Sequence, residues 1–312
     1  RDRRKIRPGP GRQIPASGSG RVVFHPLSQE GEVMGLYERV LRPALFCLPA
    51  ETAHNLGKRA LSVELPWRLQ AERYRVADPR LEIEVAGLRQ SSPFGLTAGF
   101  DKDALALPGL AHLGFGSVTV GAIMPEPRAG NPRPRLSRRL EERALLNCMG
   151  LPSRGLAYAV RNLRRHRASH PAGGPPVIAN VGGFTIEGIL GCFRAVEPYV
   201  DAVELDLTCP NVRVEGELAR MEGIVKAMKI IMAERTKPVL TKLPLRSTEE
   251  SWRRALDMTR AAVEAGLDGV TAAGNLRVED NRLSKRQVSL TGPPCLENTL
   301  EVVRELRAVA GE

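Results

Sequence analysis

The sequence predicts an α/β protein of the (β/α)8 TIM-barrel type, present as about six β/α units behind a small N-terminal helical segment. Three observations carry this. Short apolar runs end in Gly, Asn or Pro; stretches of helical period separate them; and polar or conformationally special residues gather at the C-terminal ends of the runs. Continuous apolar strands alternating with helices belong to a parallel sheet covered on both faces.

In chain order, residues 1–33 are rich in Arg, Gly, Pro and Ser without sustained period, the composition of a disordered basic tail or of upstream read-through. The chain opens on Arg1, and Met34 is the expected natural start. Residues 34–76 form the helical segment: Leu36, Val40, Leu45 and Leu48 recur at helical spacing, with a break at Pro49. Residues 77–312 hold the barrel. Its strands are "PFGLTAGF" (93–100), "GSVTVGA" (116–122), "PVIANVGG" (176–183), "DAVELDLTCPN" (201–211), "PVLTKLPL" (238–245) and "DGVTAAGN" (268–275). Helices are expected at 154–168, 185–198, 217–235 and 248–266, and after "LTGPP" comes a last helix, "LENTLEVVRELRAVAGE". A closed barrel needs two further strands, about 70 residues at about 30 per unit, so the expectation is a barrel lacking its last two strands.

Composition narrows the function. With 312 residues and 42% hydrophobic content the chain buries a large core. The five cysteines, Cys47, Cys148, Cys192, Cys209 and Cys295, contain no C-x-x-C pair, so there is neither a zinc spacing nor a disulfide framework, and no metal is expected. No apolar run approaches the ~20 residues that span a bilayer. The net charge of +11 comes mostly from arginine and suits nucleic acid, an anionic membrane or an arginine-rich proteome; aromatics are 4% and not interleaved with arginine, which speaks against a nucleic-acid platform.

The segments "LRPALFCLPAETAHNL", "GLTAGFDKDALALPGLAHLGFGSVTVGAIMPEPRAGNPRPRLSR", "RALLNCMGLPSRG", "DLTCPNV", "PVLTKLPL" and "LTGPP" resemble dihydroorotate dehydrogenase in order and spacing, from about Met34 onward. The helical N-terminal block is similar to the membrane-associated, quinone-using class. That resemblance implies an FMN-containing barrel that oxidises dihydroorotate to orotate in pyrimidine (UMP) biosynthesis and passes electrons to a quinone at the cytoplasmic face of the membrane. Removing a hydride from one ring carbon requires a base for the proton on its neighbour, and amide or ammonium donors to hold the carboxylate and ring carbonyls.

Residue by residue, the resemblance assigns Cys209 as the base. It places Ala98, Gly99, Lys102, Gly121, Ala122, Asn180, Asp206, Lys242 and Gly292 at the flavin, and Lys102, Asn147, Met149, Gly150, Asn211 and Asn275 at the substrate. His54 and Arg138 match positions lining the quinone tunnel. The residues carry readings of their own. Lys242 interrupts an apolar strand, where an ammonium needs an anionic or electron-rich partner. The small residues suit close approach of backbone to a ligand. Asn147 and Asn180 either bind or cap turns.

The sequence also departs from that family. The quinone-using class carries serine as base; a thiol, with a free pKa of about 8.5, is equally able to take the proton. Asp206 stands where an asparagine is usual, and its carboxylate is expected to repel an anionic substrate and raise the pKa of a nearby thiol. In "AAGNL" Ala273 and Gly274 replace a Thr-Asn pair and Asn275 comes one place late; Gly183 replaces a lysine. These departures leave room for a non-catalytic homologue, or for a flavin oxidoreductase acting on another pyrimidine.

Overall fold

The computed structural model describes residues 37–74, 78–170, 173–207 and 216–311. The basic tail 1–33, Met34, Cys209 and Asn211 lie outside the described residues. The chain divides into two compact units, Arg1–Ala44 and Leu45–Glu312. In the first, the described residues 37–44 are helical, a π-helical turn (Tyr37–Leu41) running into a short helix α1 (Arg42–Phe46).

The second unit starts with a helical pair, α2 (Ala50–Leu61) and α3 (Glu64–Tyr74). Pro49 sits at the N-cap of α2, where its fixed φ does no harm, and Glu51 in the first turn with Lys58 and Arg59 in the last complement the helix dipole. A hairpin follows, β1 (Ile83–Val85) and β2 (Leu88–Gln90), turned by Ala86 and Gly87, both at positive φ. After α4 (Leu107–Leu110) and β3 (Val118–Ile123), an excursion forms β4 (Leu136–Arg139) and β5 (Ala144–Asn147). Regular alternation then sets in: α5 (Leu156–Ser169), β6 (Val177–Gly182), α6 (Ile186–Val196), β7 (Ala202–Asp206), α7 (Met221–Glu234), β8 (Val239–Lys242), α8 (Glu249–Ala265) and β9 (Gly269–Thr271). A second excursion, β10 (Leu276–Glu279) and β11 (Gln287–Thr291), precedes α9 (Leu296–Ala310).

The main sheet is parallel in the order β3-β6-β7-β8-β9. This is the arc of a TIM-type barrel, and among the described residues it is not closed. Helix boundaries follow local chemistry: Thr185 caps α6, Thr248 and Ser251 close a capping box on α8, and Gly266 ends that helix in the left-handed region. The expected first strand, 93–100, shrinks to a single bridge between Leu96 and Val118. Gly99 and Gly121, at φ +117° and +121°, break the pleat beyond it, although Gly99 N still donates to Gly121 O and Gly121 N to Asp101 O, each at 2.9 Å.

Register decides what each face carries. Ala179, Val181, Val203, Leu205 and Val239 pack outward into the core with Ile189, Phe193, Ile224, Met228 and Met258 from the covering helices. One residue along, Asn180, Glu204, Asp206, Lys242 and Thr271 occupy the opposite, inner face: Asn180 pairs with Glu204, Asp206 with Lys242, and Lys242 with Thr271.

A second sheet, β10-β11-β5-β4, is antiparallel and rests on its own small core of Leu146, Cys148, Val288, Leu290 and Cys295. The sequence reading has no strands here: the segments are only four or five residues long, β4 with β5 and β10 with β11 form two short hairpins, and the hairpins join across a long separation, Asn147 facing Ser289.

Polar contacts fasten α2 to this framework. Glu51 receives Arg135 at 2.7 Å and Arg133 at 3.2 Å, and Arg135 is itself buried. Burial works to raise the Glu51 pKa, but the Arg135 and Arg133 guanidiniums outweigh it and hold the carboxyl below 4.5. A depressed carboxylate contributes stability that is complete above its unfolded value and vanishes as pH falls through the folded one. Glu51→Ala is therefore expected to cost about 1–3 kcal/mol at neutral pH. In urea melts, the gap to wild type should narrow as pH falls below 4.5 and through the lowered folded value; a pH-independent gap would refute the ion-pair account.

Candidate active site

The inner face builds the site in two layers. In the lower, Asn180 is fully buried and its Nδ2 donates to Glu204 Oε1 at 2.6 Å, while the Thr271 hydroxyl donates to Glu204 Oε2. Above it, Asp206 and Lys242 form an ion pair at 3.8 Å across the β7–β8 register. Lys242 thus has the anionic partner its position demands. The repulsion expected of Asp206 is corrected accordingly: its charge is balanced by Lys242 on the adjacent strand, which sequence order separates by 36 positions.

Backbone frames the strand ends. A Cβ on Gly121 would lie 2.2 Å from the Asn180 carbonyl, so only glycine permits this approach of β3 to β6. Ala122 is buried beside Gly182, and Gly99 closes the loop after the first strand. Lys102 Nζ donates to the Gly99 carbonyl. Burial pushes the Lys102 amine down to about 8; Lys58 and Lys242 add to the effect and Asp103 and Asp101 oppose it. The loop bearing Lys102 is pinned on either side. The fully buried Asp101 carboxylate accepts from Leu105 N and Ala106 N, and Asp103 accepts from Arg154 N at 2.8 Å.

A cleft of about 900 Å³ opens beside these strand ends, lined by His54, Leu56 and Lys58 of α2 and by Lys102, Leu136 and Met149. The His54 ring meets Phe100 edge-on at 4.9 Å. Burial, with Lys58 and Lys102 nearby, pushes its pKa down to about 4, so the imidazole is neutral at physiological pH.

The remaining predicted residues are distributed unevenly. Lys102, Met149 and His54 share the cleft. Asn147 sits on β5 opposite Leu136, and Gly150, at φ +71°, packs against Asn131, whose Nδ2 holds the Cys148 carbonyl at 2.9 Å. Arg138 is not among the residues lining the cleft. Its guanidinium donates to the Leu48 and Leu45 carbonyls at 2.9 and 3.3 Å and lies over the Phe46 ring. Gly292, at φ +140°, packs on Ala144, toward the opposite end of β5 from Asn147. Asn275 directly precedes β10, and its neighbour Gly274 is pressed on Thr299 so closely that a Cβ would be 1.8 Å from that hydroxyl.

Glu204 is the inner-face carboxylate the sequence reading passes over. Its signal is a carboxylate two places before Asp206 in a buried strand, which alternation puts on the same face. Asp101 and Asp103 flank Lys102 and likewise pass unnoticed. Among the described residues Asn180 Oδ1 is buried without a hydrogen-bond partner, an orphaned acceptor on β6. Together with the glycine-lined backbone and two lysines it suits a flat, electron-accepting heterocycle bearing N–H donors, as a flavin does.

The family model "Dihydroorotate dehydrogenase" matches residues 80–312. The chain belongs to that family. A dihydroorotate dehydrogenase (quinone) of Anaeromyxobacter dehalogenans is 35% identical over 283 residues, covering 86% of this chain and 77% of the relative. One from Thermus thermophilus is 36% identical over 284 residues, covering 84% and 78%. Among solved structures, Eimeria tenella DHODH in complex with ferulenol superposes with a TM-score of 0.67 at 23% identity, covering 83% of this chain and 77% of that one, a likeness of fold.

The lysine cluster makes a prediction. In 13C-lysine NMR, Lys102 should titrate near pH 8, and Lys58→Met should raise that value by removing a neighbouring positive charge. A Lys102 midpoint near the free value of 10.5 would contradict the placement.

Proposed function

We propose that this protein oxidises dihydroorotate to orotate, in the synthesis of pyrimidine nucleotides, with FMN as its resident flavin and a quinone as electron acceptor. The reading rests on Lys102, which reaches the strand-end backbone with its amine while lining the cleft that begins at His54. One side chain thus adjoins both a place for a flavin and a route in for a second substrate. The names of the quinone-dependent relatives support the same reaction.

Bound FMN supplies the hydride acceptor and the one-electron carrier toward quinone. The chain's own groups do the rest. Cys209, past the end of β7, takes the proton from the ring carbon beside the one that loses hydride. Lys102 in its ammonium form orients the substrate carboxylate, and Asn147, Asn211 and Asn275 offer amides to the ring carbonyls. Asn180 Oδ1 would accept from a flavin N–H, and the Gly99 and Gly121 backbones would let the ring lie close. Lys242 offsets Asp206, so an anionic substrate meets no uncompensated carboxylate there. Neutral His54 with Leu56 and Leu136 gives the cleft an apolar wall suited to a quinone ring. Arg138 acts indirectly, holding the carbonyls that lead into α2.

The helical pair presents Leu56, Val63, Leu65 and Leu69 as exposed apolar side chains, an arrangement suited to the cytoplasmic membrane surface, where quinone dissolves. Among the described residues no helix is long and apolar enough to cross a membrane.

Cys209→Ala should lower dihydroorotate-dependent dye reduction by at least about 100-fold. His54→Ala should raise the KM for quinone by about tenfold, a loss of about 1.4 kcal/mol of binding, and affect the dye reaction less. Flavin-loaded protein that reduces no dye with dihydroorotate, or a Cys209→Ala variant with full activity, would overturn the proposal.

A further inference from the structure

Three residues far apart in sequence meet on the flank of the barrel unit, away from the cleft: Glu64 at the start of α3, His112 just past α4, and His170 capping the end of α5. Nε2 of each ring lies 3.1 Å from the same oxygen, Glu64 Oε1, and the three donor atoms all lie within 4.8 Å of one another.

The contacts constrain where hydrogens can sit. His170 Nδ1 is 3.2 Å from the His166 carbonyl, which only accepts, and a hydrogen on Nδ1 completes that contact. Nε2 then either carries a second hydrogen toward the Glu64 carboxylate or presents its lone pair to a cation held between them. His112 brings a second ring nitrogen to the same oxygen, so two imidazoles and a carboxylate converge on one point.

We propose that Glu64, His112 and His170 bind one zinc-type divalent cation, a site additional to the dehydrogenase centre and independent of that assignment. Two imidazoles and one carboxylate form a recurrent three-ligand zinc set. Metal–ligand bonds of about 2.0–2.2 Å imply tetrahedral edges of about 3.3–3.6 Å, close to the 3.1 Å contacts, so small side-chain shifts admit the ion. A hydrogen bond from His170 Nδ1 to the His166 carbonyl, 3.2 Å away, would favour the tautomer that leaves Nε2 free to ligate, and the His166 ring stacked on His170 at 4.5 Å steadies its plane. All three side chains are only partly buried, which leaves a fourth position to water. Because the ligands come from α3, α4 and α5, the ion would staple the helical pair to the barrel and stabilise the folded chain.

The test uses the full, tag-free chain after metal removal, titrated calorimetrically with Zn2+, and with Mg2+ and Ca2+ as hard-cation controls. One Zn2+ per chain is expected, with a melting temperature that rises with Zn2+ and no comparable effect of the controls. His112→Ala and His170→Ala should each weaken binding by about 100-fold or more, and Glu64→Gln by about tenfold. Cobalt in place of zinc should give a tetrahedral nitrogen–oxygen spectrum without a thiolate band, a readout on wild type that stands even where a variant folds poorly. Absence of stoichiometric Zn2+ binding would overturn the site in favour of a protonated imidazolium between the groups. Undiminished binding in His170→Ala, or a thiolate band, would overturn it in favour of a cysteine site.

Discussion

The register of the parallel strands is the constraint on which the other features depend. Asn180, Glu204, Asp206, Lys242 and Thr271 share the inner face because β6, β7, β8 and β9 pair in one register over two successive inward levels, Asn180 with Glu204 and Asp206 with Lys242 and Thr271. A slip of one residue would turn this polar row into the helix-facing core and send Ala179, Val203, Leu205 and Val239 inward. The outer apolar contacts with α6, α7 and α8 therefore fix the site: packing on one face determines which side chains meet on the other.

That constraint explains why buried charge is tolerated here. Glu204 is almost fully buried, an expensive state for a lone carboxylate, but it receives Asn180 on one oxygen and Thr271 on the other. Asp206 and Lys242 neutralise each other one layer above. Beside them lies the desolvated amine of Lys102, close to Lys58 and Lys242 and opposed by Asp101 and Asp103, a cation placed where an anion or an electron-accepting ring would meet it.

Much of this was legible in the sequence. Lys242 stands out as a charge inside an apolar strand and Lys102 follows a strand end, whereas Asn180 and Gly121, inside β6 and β3, are assigned by the family resemblance. Pairing across strands is a property of register, and no local pattern reveals it: hence Asp206 reads as a free carboxylate, Glu204 goes unnoticed, and Arg138 holds the carbonyls before α2 instead of lining the cleft. The antiparallel excursions escape because their strands are only four or five residues long, and the Glu64 cluster escapes because its histidines lie 48 and 106 residues beyond the carboxylate. Cysteine spacing, the usual guide to zinc, is silent about it.

The central claim is that the inner polar row holds a flavin, with Asn180 as the acceptor at its base. It is tested most directly by titrating flavin-free protein with FMN and following the loss of flavin fluorescence, in wild type and in Asn180→Leu. The account predicts one FMN per wild-type chain and affinity about 30- to 100-fold weaker in the variant, the cost of about 2–3 kcal/mol for removing a buried hydrogen-bonding partner. Equal affinity in the two proteins, or no saturable binding to the wild type, would contradict it.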